Sequence, residues 1–234
     1  MEARVAGAHV RIHRSVLAAA EKRLLIWIAR RLPHRVNSDH LSVLGLGSMV
    51  VAGASLALLP LSRWAAAGFA IALAANWFGD SLDGTVARVR GHERPRFGYY
   101  VDHVIDVAGT TALMVGLACS GLMSPLLTAF VLCAYLLVSA ESYLATHSAG
   151  VFRISFMGFG PTELRILLTI GVLKALVSPI VDIPIVGRAR LFDVGGVVAV
   201  AGLAMVFVLS AIRTTRALYR AEPLPASAHV GRAA

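Results

Sequence analysis

Residues 65–106 read AAAGFAIALAANWFGDSLDGTVARVRGHERPRFGYYVDHVID. A long apolar run ends in Asp80 and Asp83, a short basic stretch carries Gly91 and Pro95, and the next run opens with Asp102 and Asp106. A bilayer core is about 30 Å thick and takes about 20 apolar residues of helix, so this stretch predicts two antiparallel membrane helices joined by a basic loop. The same alternation of apolar runs with Gly and Pro breaks continues on both sides. It predicts six spans, at 40–60, 65–89, 98–122, 125–147, 161–180 and 191–216. The expected fold class is therefore an all-α integral membrane protein.

The composition agrees. Of 234 residues 57% are hydrophobic and 15% charged, which excludes an ordinary soluble enzyme and a disordered tail. Lys and Arg outnumber Asp and Glu by 22 to 13, a net charge of +9 that suits either nucleic acid or an anionic membrane surface. The apolar runs favour membrane lipid as the partner and no nucleic acid. Cys119 and Cys133 both fall inside apolar runs, where a thiol behaves as a small hydrophobe rather than as half of a disulfide.

Ahead of the first span, Ser15 to Leu32 reads as an amphipathic helix lying on the membrane. Leu17, Leu24, Leu25 and Ile28 share a face, and Lys22, Arg23, Arg30 and Arg31 reach for headgroups. Eight Lys or Arg precede residue 39, and Arg88, Arg90, Arg94 and Arg96 fill the second loop. The positive-inside bias then places both termini and the second loop in the cytoplasm. Three parts follow: a basic leader at 1–38, a six-helix membrane domain at 39–216, which would hold any catalytic site, and a cytoplasmic tail at 217–234.

Acidic residues inside spans cost about 2.5 to 3.5 kcal/mol each near the bilayer centre, so each needs a reason. Asp80, Asp83, Asp102, Asp106, Glu141 and Glu163 stand at or within spans. Asp80 and Asp83 are three apart on one helix, and Asp102 and Asp106 four apart on the next, so each pair shares a face. An antiparallel hairpin brings all four carboxylates together just below the cytoplasmic interface. Such a cluster cannot stay ionised in a low dielectric without cations. Oxygen ligands without His or Cys suit Mg2+ or Mn2+, and two such ions about 4 Å apart would clamp phosphoryl oxygens.

The fixed positions are Asp80-x-x-Asp83-Gly84-x-x-Ala87-Arg88, nine residues, then Gly98-x-x-x-Asp102-x-x-x-Asp106. This string resembles the signature of the CDP-alcohol phosphotransferase family, also called CDP-alcohol phosphatidyltransferases. The resemblance implies six spans, two divalent ions, a CDP-linked donor, an alcohol acceptor and release of CMP in phospholipid synthesis. By the same resemblance Asp80, Asp83, Asp102 and Asp106 would hold the metals, with Asp106 as general base on the acceptor hydroxyl. Asp80, Gly84, Ala87, Arg88 and Gly98 would line the CDP site, with Gly98 also keeping the helices close. Members of that family are often homodimers, so a homodimer belongs to the expectation; small residues such as Gly195, Gly196, Ala199 and Gly202 would permit close packing of the last span.

Two acceptor classes stay open. Glu141-Ser142-Tyr143, Gly160-Pro161-Thr162-Glu163 and His103 are similar to the choline and ethanolamine phosphotransferase branch, where a carboxylate and an aromatic ring would hold an ammonium group. Arg153 and Arg165 could instead grip a phosphorylated acceptor. Two other functions compete with phosphotransfer: a cation transporter, for which carboxylates should sit near mid-bilayer on broken helices, and an inactive scaffold, for which the aspartates need not be intact.

Overall fold

The computed structural model describes residues 18–149, 161–184 and 187–222. Arg153, the first residues of the expected surface helix and most of the expected tail lie outside them. The described chain is mostly helical: α1 (Ala18–Arg31), α2 (Ser38–Ala57), α3 (Ala65–Arg90), α4 (Pro95–Cys119), α5 (Pro125–Ala149), α6 (Pro161–Val177) and α7 (Leu191–Ala221). Between α6 and α7 a small ribbon pairs β1 (Ile180–Ile183) with β2 (Gly187–Arg190), antiparallel with Asp182 opposite Arg188. The all-α expectation overlooked this ribbon. Its strands are four residues each, too short for periodicity to register, with Gly187 at φ +87 beside the turn.

Local chemistry sets the helix boundaries. Asn37 caps α2, its side-chain oxygen accepting from the His40 backbone N–H at 3.0 Å while His40 Nδ1 accepts from the Asn37 N–H at 3.4 Å. Gly91 at φ +66 ends α3, with the His92 N–H donating to the Ala87 carbonyl at 2.9 Å. Pro95 opens α4 at a position where a missing N–H costs nothing. At the opposite end of the molecule the Asp193 carboxylate of α7 accepts from the Ser124 N–H at 2.7 Å, just before α5. Helix α7 runs five residues past its expected end and spans about 46 Å at 1.5 Å per residue.

By length and composition α2, α4, α5 and α7 can each cross a membrane. Helix α3 has the length, at 26 residues, but carries Asp80, Asp83, Arg88 and Arg90 in its C-terminal half; α6 has 17 residues. The faces turned outward are apolar, with Ile71, Val115, Phe130, Ile170, Val198 and Val208 all exposed, as lipid contact requires.

Helices α2, α3 and α4 form the inner block. A Cβ at Gly116 on α4 would collide with the backbone of Gly53 on α2, and one at Gly79 on α3 would meet the Leu41 carbonyl. Only glycine permits that approach. Around it Ala52, Leu56, Phe69, Leu73, Leu113 and Leu117 make the main core, to which α5, α6 and α7 add Val131, Val172 and Phe192. Cys119 and Cys133 are free and stand on exposed faces of α4 and α5, unlike the buried thiols that apolar runs suggest.

A second cluster seats α1: Leu25 and Ala29 pack with Leu41, Leu82 and Val86, and Ile28 borders them. The apolar stripe of α1 is thus largely spent on α2 and α3, leaving Leu24 and Trp27 exposed. Polar ties fix the helix at both ends. Glu21 Oε1 accepts from Trp77 Nε1 and from Thr162 Oγ1, each at 2.7 Å, and Arg90 donates to the Leu32 and Val36 carbonyls at 2.9 and 2.5 Å.

Candidate active site

The Gly91 turn joins α3 to α4, but the two do not pack on each other as the expected hairpin would: each packs on α2, and they approach through side chains at the site. Asp80 faces α4 one turn after buried Asn76, and Asp102 and Asp106 face back from α4. Carboxylate oxygens of Asp80, Asp102 and Asp106 all lie within 4.8 Å of one another. Among the described residues this is the group of acidic side chains placed to hold a metal ion. Three hard oxygen donors, without His or Cys, fit a cation such as Mg2+ or Mn2+. Asp106 is the most open of the three.

Asp83 stands apart from that group. Its Oδ2 accepts from Ser42 Oγ on α2 at 2.7 Å, and its Oδ1 from the Gly84 N–H at 2.5 Å. Ser42 carried no signal in the sequence because it lies 41 residues from its partner, on another helix.

Arg165 reaches into the site from α6. Its Nη2 donates to Asp80 Oδ2 at 2.5 Å and its Nε to Asn76 Oδ1 at 2.8 Å. Asn76 in turn donates through Nδ2 to the Gly45 carbonyl at 2.9 Å. The sequence singled out Arg165 for phosphate binding; in the structure its guanidinium is engaged by a carboxylate of the cluster. Asn76 went unnoticed, although its place four residues before Asp80 puts it on the same face.

Arg88 lies over Gly84, its guanidinium 3.4 Å from where a Cβ would be, and donates to Thr85 Oγ1 at 3.3 Å. A methyl group at 84 would only touch that arginine, at ordinary van der Waals distance. Ala87 lines an open cavity of about 430 Å³ together with Asn37, Ser38, Asp39, Val86, Arg90, His92, Glu93 and Arg94. An Arg94–Asp39 ion pair spans its rim. Gly98 sits exposed in the first turn of α4 with nothing within 4 Å of a Cβ, so it does not draw the helices together. Gly53, Gly79 and Gly116 do that.

The acceptor candidates are dispersed. Glu141 accepts from Thr214 Oγ1 of α7 at 3.1 Å, whereas Tyr143, two residues on and facing the other way, lies against the His103 ring with centroids 4.6 Å apart. His103 is buried between Tyr143 and Tyr99, with Nδ1 3.5 Å from Asp102 Oδ2. Glu163 stands in the first turn of α6, next to Thr162 and its bond to Glu21.

Residues 37–208 match the CDP-alcohol phosphatidyltransferase family, a stretch from the Asn37 cap of α2 into α7 that includes every aspartate above. The chain belongs to that family. No curated protein matches the chain. Among solved structures it is similar to the phosphatidylinositol phosphate synthase of Mycobacterium tuberculosis, crystallised with CDP-DAG bound. Identity is 22% and the TM-score 0.52, over 84% of this chain and 92% of that one, a likeness of fold. As a CDP-alcohol phosphatidyltransferase the protein is an integral membrane enzyme that transfers substituted phosphate groups. The family uses divalent metals, for which Asp80, Asp102 and Asp106 offer a seat.

Proposed function

We propose that the enzyme transfers a phosphatidyl group from CDP-diacylglycerol to the hydroxyl of a small alcohol and releases CMP. The convergence of Asp80, Asp102 and Asp106 at the junction of α3 and α4 carries this reading. CDP-DAG in the solved structure of similar fold supports the choice of donor. Two Mg2+ or Mn2+ ions held by these carboxylates, with Asp83 joining them, would neutralise charge developing on the phosphates. Asp106 takes the proton from the acceptor hydroxyl, a task suited to its open position. Arg88, whose guanidinium lies over Gly84, binds the diphosphate. Ala87, at the cavity beside the α3–α4 turn, leaves room for the nucleotide.

In this reading α3 and α6 complete six spans, both termini and the site face the cytoplasm, and α1 lies along that surface. Exposed Trp27 and the Arg31 guanidinium stacked 4.0 Å from its ring centre suit the interface. Attack of the hydroxyl on phosphorus forms one P–O bond and breaks the bond to CMP, so CMP and lipid product appear in equal amounts. The test is a panel of CDP-linked donors and alcohol acceptors assayed with Mg2+ or Mn2+ and read by lipid mass spectrometry. CMP release that depends on both an acceptor and the metal is expected. Full activity in excess EDTA would remove the metal-based mechanism.

A further inference from the structure

We infer that Arg165 is the built-in counter-cation of the carboxylate cluster: it compensates Asp80 while no divalent ion is bound and opposes the ion when one binds. The inference rests on the proposed metal seat at Asp80, Asp102 and Asp106 and concerns how tightly that seat holds an ion.

The geometry is specific. One edge of the guanidinium, Nε with Nη2, spans Asn76 Oδ1 and Asp80 Oδ2, so its plane is fixed by two acceptors on consecutive turns of α3. Asn76 is buried and held in turn by the Gly45 carbonyl, which leaves its own carbonyl oxygen for Arg165. The pair is largely withdrawn from solvent, with side-chain exposures of 16% for Arg165 and 26% for Asp80. A guanidinium cannot shed its charge at any accessible pH. Asp80 therefore has a permanent positive neighbour on one oxygen while it belongs to the metal-sized group with Asp102 and Asp106.

Two consequences follow. Without an ion, the carboxylates of Asp80, Asp102 and Asp106 repel one another across less than 4.8 Å, and Arg165 offsets part of that repulsion. With an ion bound, the guanidinium and the metal share a carboxylate and repel each other through a partly buried, weakly screened space. Arg165 is thus a positioning residue whose charge weakens metal binding and stabilises the metal-free enzyme. Its reach from α6 also makes that helix sensitive to occupancy of the site between α3 and α4.

The test is a Mn2+ titration of the purified full-length enzyme in nanodiscs, followed by electron paramagnetic resonance, together with thermal unfolding with and without Mn2+. Arg165→Gln and Arg165→Met remove the charge; Arg165→Lys keeps it. Both neutral variants should bind Mn2+ roughly tenfold more tightly than the wild type, as expected for loss of a nearby like charge. They should also unfold at a lower temperature without metal and gain more from Mn2+. The lysine variant should bind Mn2+ as the wild type does. Asp80→Asn with Arg165→Gln should recover metal-free stability, because neither charge is then left alone. Equal or weaker Mn2+ binding in the neutral variants, or equal tightening in the lysine variant, overturns the role of Arg165. Absence of any Mn2+ uptake by the wild type overturns the metal seat itself, a different and separately visible failure.

Discussion

Helix α2 meets both α3 and α4 backbone to backbone, whereas α5, α6 and α7 reach the rest of the molecule through side chains. In the inner block Gly116 lies on the Gly53 backbone and Gly79 on the Leu41 carbonyl, and nine residues of α3 are buried. In the outer layer α6 and α7 bury two residues each, and long-range polar ties run through side chains: Asp193 to Ser124, Glu141 to Thr214, Thr162 to Glu21, and Arg165 to Asn76 and Asp80. A phosphoryl-transfer site needs carboxylates at fixed separation, and close backbone packing supplies that without long side chains to reorder. The outer helices have mainly to face lipid. The proposed site and the densest packing therefore coincide, with Arg165 as the outer layer's one described side-chain bond to the cluster.

The largest effect expected from this contrast is chemical rather than structural. Asp106 stands exposed at the edge of the cluster, so Asp106→Asn should leave the melting temperature near that of the wild type. CMP release should fall about a thousandfold if its carboxylate is the general base. Activity within tenfold of wild type would move the base elsewhere in the site. Next in size is a test of the packing itself. Gly116→Val places methyl groups on the Gly53 backbone and should cost about 3 kcal/mol or more, visible as a large fall in thermal or denaturant stability. Gly196→Ala on α7 meets only the movable ends of Leu127 and Met123 and should cost under about 1 kcal/mol. Similar losses for both would erase the distinction between the layers.

The inner block was the legible part of the sequence, for a physical reason. Asp80 with Asp83 and Asp102 with Asp106 are separated by one helical turn, so local spacing alone points each pair toward one side, and Asp80, Asp102 and Asp106 do meet. Spacing could not show that Asp83 bonds Ser42 or that α3 and α4 each pack on α2 instead of on each other. Contacts between elements distant in the chain leave no such trace. Ser42 on Asp83, Arg165 on Asp80 and Glu21 beneath Trp77 and Thr162 join helices 41, 85, 56 and 141 residues apart. Gly98 misled for the same reason: glycine marks a close approach only when a neighbour is there to approach, and the first turn of α4 has none. The stripe on α1 was visible, but periodicity does not say whether lipid or protein covers it, and Leu25 and Ala29 are covered by α2 and α3.

A smaller effect tests how α1 is fastened. Glu21→Ala deletes an acceptor shared by Trp77 Nε1 and Thr162 Oγ1, leaving two part-buried donors to find water. A loss of about 1 to 3 kcal/mol is expected, read most directly as faster protease cleavage near Pro33 with the inner block still intact. Unchanged protection would mean that Leu25 and Ala29 hold the helix without the glutamate.

The smallest effect belongs to a pair that resembles Arg165–Asp80 in composition only. Arg94 and Asp39 also form an arginine–aspartate bridge, between α2 and the turn before α4, but their side chains are 51% and 50% exposed. At that exposure solvent and salt screen the attraction, and fixing two side chains offsets much of what remains, so Arg94→Ala should change stability by less than about 1 kcal/mol. The remaining difference from wild type should vanish in 1 M salt, where the screening length is about 3 Å. Arg165→Gln under the same conditions should keep its lowered metal-free melting temperature, because Asp80 lies where salt screens poorly. Equal salt sensitivity in the two variants would place the Arg165 pair in effectively open water, and the burial that gives Arg165 its hold on the carboxylate cluster would then have no energetic consequence.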